Sequence, residues 1–342
     1  MSFAEASRAA VVGIAGKSLS GAEKDLFAAA PPLGFILFAR NVETPEQVAA
    51  LAAECRQVVG RPDATVWIDQ EGGRVARLRP PHWPSYYPAR AIGALGGTTA
   101  RRAAYLQARL IADDLFRLGI DVDCHPCVDL SVPGAHDVIG DRAFDSDPAV
   151  VAELGRAACD GLLAGGVLPV IKHLPGHGRA MADSHISLPL VTTALGELAA
   201  SDFVPFAALA DMPIAMTAHV VYGAVDPERP LTQSARGIDL VVRDMLGFDG
   251  VLVSDDINMQ ALSGDLPARA AAALAAGCDI VLHCSGKFEE LAGLLPGLPG
   301  LSDAAARRWA RAAGRRAAPA AFDRAAARAE LDGLLLAEGV TA

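Results

Sequence analysis

Two stretches of this 342-residue chain carry side chains able to do acid–base and nucleophilic chemistry. Asp255-Asp256 closes an apolar run ending at Ser254, and a carboxylate so placed can attack an electrophilic carbon. Lys172-His173-Leu174-Pro175-Gly176-His177-Gly178 closes another run and leads into Asp183-Ser184-His185. An Asp two residues from a His can hold the imidazole, raise its pKa and fix its tautomer, as a general acid and base near neutral pH requires. Pro175 and the glycines flanking His177 predict a non-helical loop over such a site. Asp69-Gln70-Glu71-Gly72-Gly73-Arg74 and His219 also follow apolar runs directly.

Other chemistries fit less well. Cys124-His125-Pro126-Cys127 has C-x-x-C spacing, but the residues that follow read as a loop, without the helix whose N-terminus stabilises a redox thiolate. No second C-x-x-C offers the two further ligands of a structural zinc. Gly16-Lys17-Ser18 lacks the glycine a phosphate loop needs five positions earlier, where Val11 stands. A barrel metal hydrolase would carry H-x-H after its first strand, again at Gly16-Lys17-Ser18, so a metal-dependent amidohydrolase is only a distant alternative. No metal and no cofactor is expected.

The elements that must position these residues repeat. Eight apolar runs, Val11–Ala15, Gly34–Phe38, Thr65–Ile68, Ile120–Cys124, Val167–Ile171, Ile214–Ala218, Gly250–Ser254 and Asp279–His283, alternate with helical patterns. Thr44-Pro45-Glu46-Gln47 reads as a cap, a first-turn proline and a capping-box partner. Asp147-Pro148, Thr232 and Asp265 are read as opening further helices, and Gly119, Gly247 and Gly277 as ending them. Continuous apolar strands are buried on both faces, as parallel strands wrapped by helices require. The expected fold is α/β, one (β/α)8 barrel over residues 1–342, with an Ala- and Arg-rich helical tail from about 302 to 342; an open doubly wound sheet is the alternative. In such a barrel the site lies at the carboxyl ends of the strands, where the residues above fall. The tail's Arg307, Arg308, Arg311, Arg315 and Arg316 are expected to line a solvated helix face.

Composition bounds the rest. Hydrophobic residues make up 52% of the chain, enough for a large core. A formal charge of −10 argues against nucleic acid or an anionic membrane surface as partner, and no apolar run approaches the ~20 residues that cross a bilayer. The opening residues read as mature sequence entering a first strand, which makes the cytoplasm the expected location and the six cysteines free thiols. Oligomeric state is not legible in the sequence.

Taken together, the words Asp69-Gln-Glu-Gly-Gly-Arg-Val-Ala-Arg77, Ile139-Gly-Asp-Arg142, Lys172-His-Leu-Pro-Gly-His-Gly178, Asp183-Ser-His185 and Gly247-Phe-Asp-Gly-Val-Leu-Val-Ser-Asp255-Asp256 resemble the bacterial β-N-acetylglucosaminidases of glycoside hydrolase family 3. They stand in the family's order and extend over most of the chain, which is similar to the compact, single-barrel branch that works in cell-wall recycling. The resemblance implies a retaining exo-hydrolase acting on a terminal β-linked N-acetylglucosamine, with peptidoglycan fragments carrying 1,6-anhydro-muramic acid and peptide as substrate. It implies Asp255 as nucleophile, His185 oriented by Asp183 as acid/base, and Asp69, Arg77, Arg142, Lys172 and His173 as sugar ligands. Asp256 is the rival nucleophile, but successive residues leaving a strand point to opposite sides. A phosphorylase on the same scaffold is the alternative activity, since a neutral imidazole would not repel an incoming phosphate as a carboxylate base would.

Overall fold

The computed structural model describes residues 7–181, 184 and 187–337. Eight parallel strands close into a barrel: β1 (Arg8–Gly13), β2 (Pro32–Leu37), β3 (Thr65–Ile68), β4 (Val122–Asp123), β5 (Leu168–Leu174), β6 (Ile214–Thr217), β7 (Val251–Asp256) and β8 (Ile280–His283). Each hydrogen-bonds its neighbour in sequence, and β8 pairs back onto β1 with Val11 opposite Leu282. All eight strands coincide with the apolar runs. No described helix is long and apolar enough to cross a membrane.

Alternation along the strands sorts their side chains. Val11, Trp67, Val122, Cys124, Leu168, Val170, Ile214, Met216, Val251, Val253, Ile280 and Leu282 share one apolar cluster inside the barrel. Ala10, Val12, Val66, Ile68, Ile171, Ala215, Leu252 and Val281 face the surrounding helices. The inward parity of β3, β5 and β7 therefore runs on to Asp69, Lys172 and Asp255.

Helix punctuation follows the sequence with two exceptions. Asp147 and Asp265 accept from the backbone N–H groups of Ala149 and Ala268, while Gly119, Gly247 and Gly277 adopt positive φ past helix ends. Thr44 caps Pro45–Val58, but the Gln47 side chain closes on the N–H of Glu43 (2.9 Å), one residue earlier than a capping box. Thr232 opens no helix. Its buried hydroxyl lies 2.8 Å from both Thr217 Oγ1 and His219 Nδ1, and Ser234 supplies the cap instead. The helices Gly97–Arg117 and Pro148–Ala164 pack closely because Gly161 meets the backbone of Tyr105, where a Cβ would stand 2.5 Å from its carbonyl oxygen.

The tail forms helices Asp303–Gly314 and Arg324–Leu336. The first caps the amino-terminal mouth of the barrel, where Trp309 stacks on Trp67 (centroids 6.3 Å apart, planes 10° apart). The tail's arginines are largely exposed, as a solvated face requires, but acids at that mouth also draw most of them into ion pairs. Arg308 pairs with Asp249 and Asp279 (3.0 Å each), Arg311 with Asp249 (2.7 Å) and Arg316 with Asp121 (2.7 Å). Arg315 donates to the Asp211 carbonyl, while Arg307 stays exposed.

Candidate active site

At the carboxyl ends of the strands a pocket of about 200 Å³ is lined by Asp69, Arg77, Arg142, Lys172, His173, Asp255 and Asp256, with Phe38, Val75, Met216, Met259, Leu282 and Cys284 as apolar wall. That is smaller than the ~300–1,000 Å³ of pockets that hold drug-sized molecules and suits one sugar ring.

Its charged wall is a buried network. Lys172, on β5, places Nζ 2.9 Å from Asp69 Oδ1 and 2.7 Å from Glu71 Oε1. Arg142 arrives from the loop after β4 and grips Glu71 with two bonds, Nε to Oε2 at 3.0 Å and Nη2 to Oε1 at 2.8 Å. Arg77 reaches the other Asp69 oxygen at 3.1 Å. Burial by itself would raise the Asp69 and Glu71 carboxyls. For Asp69 the nearby Lys172 and then Arg77 outweigh it, and for Glu71 Arg142 and then Lys172, so both stay below their ordinary values. Burial likewise opposes the Lys172 charge, and Asp69 and Glu71 reverse that and raise its pKa. The wall is thus fully ionised at neutral pH, with fixed donors and acceptors for sugar hydroxyls.

A second set holds the histidines. Asp129, fully buried, takes His173 Nδ1 at 2.6 Å, the backbone N–H of His177 at 2.6 Å and the Cys127 thiol at 3.2 Å. Burial would raise this carboxyl, and His173 above all brings it down to about 2. His173 Nε2 stands 3.4 Å from Arg142 Nη2, so its ring links the two sets. The Lys172–His173 peptide is cis, and both side chains line the pocket. His177 Nε2 lies 3.1 Å from Ser184 Oγ, while the Ser184 carbonyl accepts from Ala261 N–H at 3.2 Å. These bonds tie down the residue between Asp183 and His185, which themselves lie outside the described residues.

The adjacent aspartates differ. Asp255 continues the inward parity of Val251 and Val253, and its Oδ1 accepts the N–H of Asp256 at 2.8 Å. Asp256 also borders the pocket, but its Oδ1 takes the backbone N–H groups of Asn258 and Cys284, both at 3.0 Å, which fixes the turn after β7. His219 lies off the pocket, between Thr232 Oγ1 and the Asp256 carbonyl (3.1 Å).

Five of the expected sugar-site residues, Asp69, Arg77, Arg142, Lys172 and His173, thus meet at one pocket with Asp255. Sequence reasoning missed Glu71 and Asp129 as the acids that organise them. Glu71 lay inside a motif already singled out, and Asp129 lay in the loop after a strand end. All six cysteines are free, and Cys124 and Cys127 belong to different apolar clusters, inside the barrel and beside Ile139 and Ala143.

Residues 21–307 match the glycosyl hydrolase family 3 N terminal domain. Beta-hexosaminidases of Stenotrophomonas maltophilia and Alkalilimnicola ehrlichii are 41% and 40% identical to this chain over 281 residues, covering 80% of it and 82% and 80% of their own lengths. A crystal structure of NagZ from Neisseria gonorrhoeae in complex with N-trifluoroacetyl-D-glucosamine superposes with a TM-score of 0.85 at 33% identity, covering 96% of this chain and 98% of that one. These relatives favour hydrolysis over phosphorolysis and leave the amidohydrolase reading without support. The chain belongs to glycosyl hydrolase family 3 and is a glycoside hydrolase, a β-N-acetylhexosaminidase acting on a small carbohydrate.

Proposed function

We propose that the enzyme is a retaining exo-β-N-acetylglucosaminidase that removes terminal N-acetylglucosamine from peptidoglycan turnover fragments in the cytoplasm, through a covalent glycosyl–Asp255 intermediate. The observation that carries this reading is the inward Asp255 carboxylate on the pocket that Lys172, Arg142 and Asp69 line. One ring held by Asp69, Arg77, Arg142, Lys172 and His173 presents its anomeric carbon to Asp255. An Asp255 oxygen bonds to that carbon as the aglycone oxygen leaves and takes a proton from His185, held by Asp183. His185 then removes a proton from water, which attacks the same carbon and frees Asp255 with the β-configuration restored. A pocket sized for one sugar favours exo action and puts the anhydro-muramic acid and peptide outside it.

A slow fluorinated β-sugar should leave one glycosyl mass on the peptide containing Ser254-Asp255-Asp256, and proton NMR should show the β-product first. α-Product first, with no adduct, overturns both retention and the intermediate. His185→Ala should lose much of its turnover on a natural disaccharide and retain more on an activated aryl glycoside, because proton donation helps most when the leaving oxygen is strongly basic. Equal losses on both substrates would remove His185 from the acid role.

A further inference from the structure

Beneath the sugar pocket lies a buried thiol, Cys127, with no part in that chemistry. The Cys127 thiol points at Asp129 Oδ2 (3.2 Å), the same oxygen that His173 Nδ1 meets at 2.6 Å. The three donor atoms lie within 4.8 Å of one another and their residues are all buried. We propose that Cys127, Asp129 and His173 form an inhibitory binding site for a thiophilic divalent cation of the zinc and cadmium class, seated directly under the sugar pocket.

The donor set favours such a cation. One sulfur, one oxygen and one imidazole nitrogen are ligands of a borderline-soft metal, whereas calcium and magnesium take oxygen almost exclusively. Tetrahedral zinc, with bonds of roughly 2.0–2.3 Å, sets its ligand atoms about 3.3–3.7 Å apart. The sulfur–oxygen separation is already close to that, and the nitrogen–oxygen separation must open by only ~0.7 Å. Asp129 need not move, since backbone N–H groups of His173 (3.3 Å) and His177 (2.6 Å) hold its carboxylate. The adjacent His177 ring, 5.7 Å from that of His173 between centroids, carries a buried Nδ1 with no partner among the described residues, so more polar capacity lies beside the site.

Binding displaces the Cys127 thiol proton and moves the proton between His173 Nδ1 and Asp129 to Nε2, so that the ring coordinates as a neutral imidazole. The thiolate and carboxylate then balance the two positive charges of the ion. His173 lines the pocket and stands 3.4 Å from Arg142, so the metal approaches past His173 and draws its ring away from the sugar. The inhibitory half of the proposal rests on the sugar-pocket reading above; the binding half does not.

Titrating metal-free protein with cadmium chloride should develop the ultraviolet thiolate-to-cadmium charge-transfer band, saturating at one metal per chain. The band should vanish in Cys127→Val, survive in Cys124→Ala and be displaced by zinc. Cys127→Ser, which keeps a donor to Asp129 but has no sulfur, should also lack it and serves if the valine variant does not fold. No band in the unmodified protein, or a band that survives loss of Cys127, overturns the site. Zinc should inhibit turnover of a chromogenic β-N-acetylglucosaminide, with a half-inhibitory concentration at least ~10-fold higher in Cys127→Val, relative to each protein's metal-free rate. Equal inhibition of both proteins overturns the inhibitory role and puts the effective metal elsewhere. Absence of turnover on that sugar would instead undo the proposed function, with the cadmium band still deciding the site.

Discussion

The two mouths of the barrel use the same side chains to opposite ends. At the amino-terminal mouth Asp121 and Asp279 each lead a strand and cap the neighbouring one, accepting the N–H groups of Val66 (2.8 Å) and Leu252 (2.9 Å). Each also receives an arginine from the tail, Arg316 and Arg308, and Asp121 takes Arg56 as well (2.6 Å). A cleft of about 350 Å³ opens there beside Met212, larger than the sugar pocket, but the arginines in it are already bonded to Asp249, Asp279 and the Asp211 carbonyl. At the carboxyl mouth Lys172 and Arg142 are equally paired, yet Asp69, Arg77 and His173 also line open space. Ion pairs that tie the tail to the strand starts hold the barrel together, and pairs that line the sugar pocket can exchange partners with a substrate.

The sharpest way to break this contrast is Asp255→Ala. Loss of the nucleophile should cut turnover by at least about 10³-fold while the thermal midpoint barely moves, checked by steady-state kinetics and calorimetry. If Asp256→Ala abolishes activity and Asp255→Ala spares it, the assignment along β7 is reversed. Next come two changes of similar cost in stability, about 3–5 kcal/mol each by chemical denaturation. Trp309→Ala removes the plug over Trp67 and should leave kcat and KM of the folded enzyme alone. Glu71→Gln leaves the buried Arg142 without a carboxylate partner and Lys172 with Asp69 alone, and should raise KM too. Identical kinetic effects from the pair would mean that the mouths are not functionally separate. Arg316→Ala should cost only about 1 kcal/mol, because Asp121 keeps Arg56 and the Val66 N–H; a loss above ~3 kcal/mol would make Arg316 the principal partner.

The sequence revealed the scaffold more fully than the site. Each barrel strand is buried on both faces, so it stands out as a Val- and Ile-rich run bounded by caps and glycines, and all eight were legible. The residue after each run marked the functional mouth, which brought out Asp69, Lys172 and Asp255. The bonds that make those residues a site join positions far apart, such as Glu71 with Arg142 and Asp129 with His173, and nothing local in the sequence encodes them. The ion pairs of the exposed tail arginines were hidden for the same reason. Overall acidity told nothing of Asp121, Asp249 and Asp279 gathering at the mouth the tail covers. Thr232 looked like a cap because its hydroxyl's real partners, Thr217 and His219, come from another strand end.

The smallest effect sharpens the contrast through pH. The carboxyl mouth buries two histidines, His125 and His177, whose pKa values are lowered to about 4, first by burial and, for His177, next by His173. In the unfolded chain an ordinary histidine takes its proton near 6.5. Between pH 6.5 and 4 the unfolded state therefore binds more protons than the folded one, and folding stability rises with pH across that window. This contribution is complete above 6.5 and lost as pH falls through about 4. Asp129, lowered to about 2, adds a separate loss at more acidic pH, because its contribution is complete above about 4 and disappears as pH falls through 2. Each neutral histidine should give a slope on the order of 1 kcal/mol per pH unit inside its window. His177→Gln keeps a donor for Ser184 and has no titration, so urea denaturation at pH 7, 6, 5 and 4.5 should give a line shallower by that amount, meeting the unmodified protein's near neutrality. Parallel lines would mean that His177 is already protonated in the fold, and its bond to Ser184 would then be that of a cation.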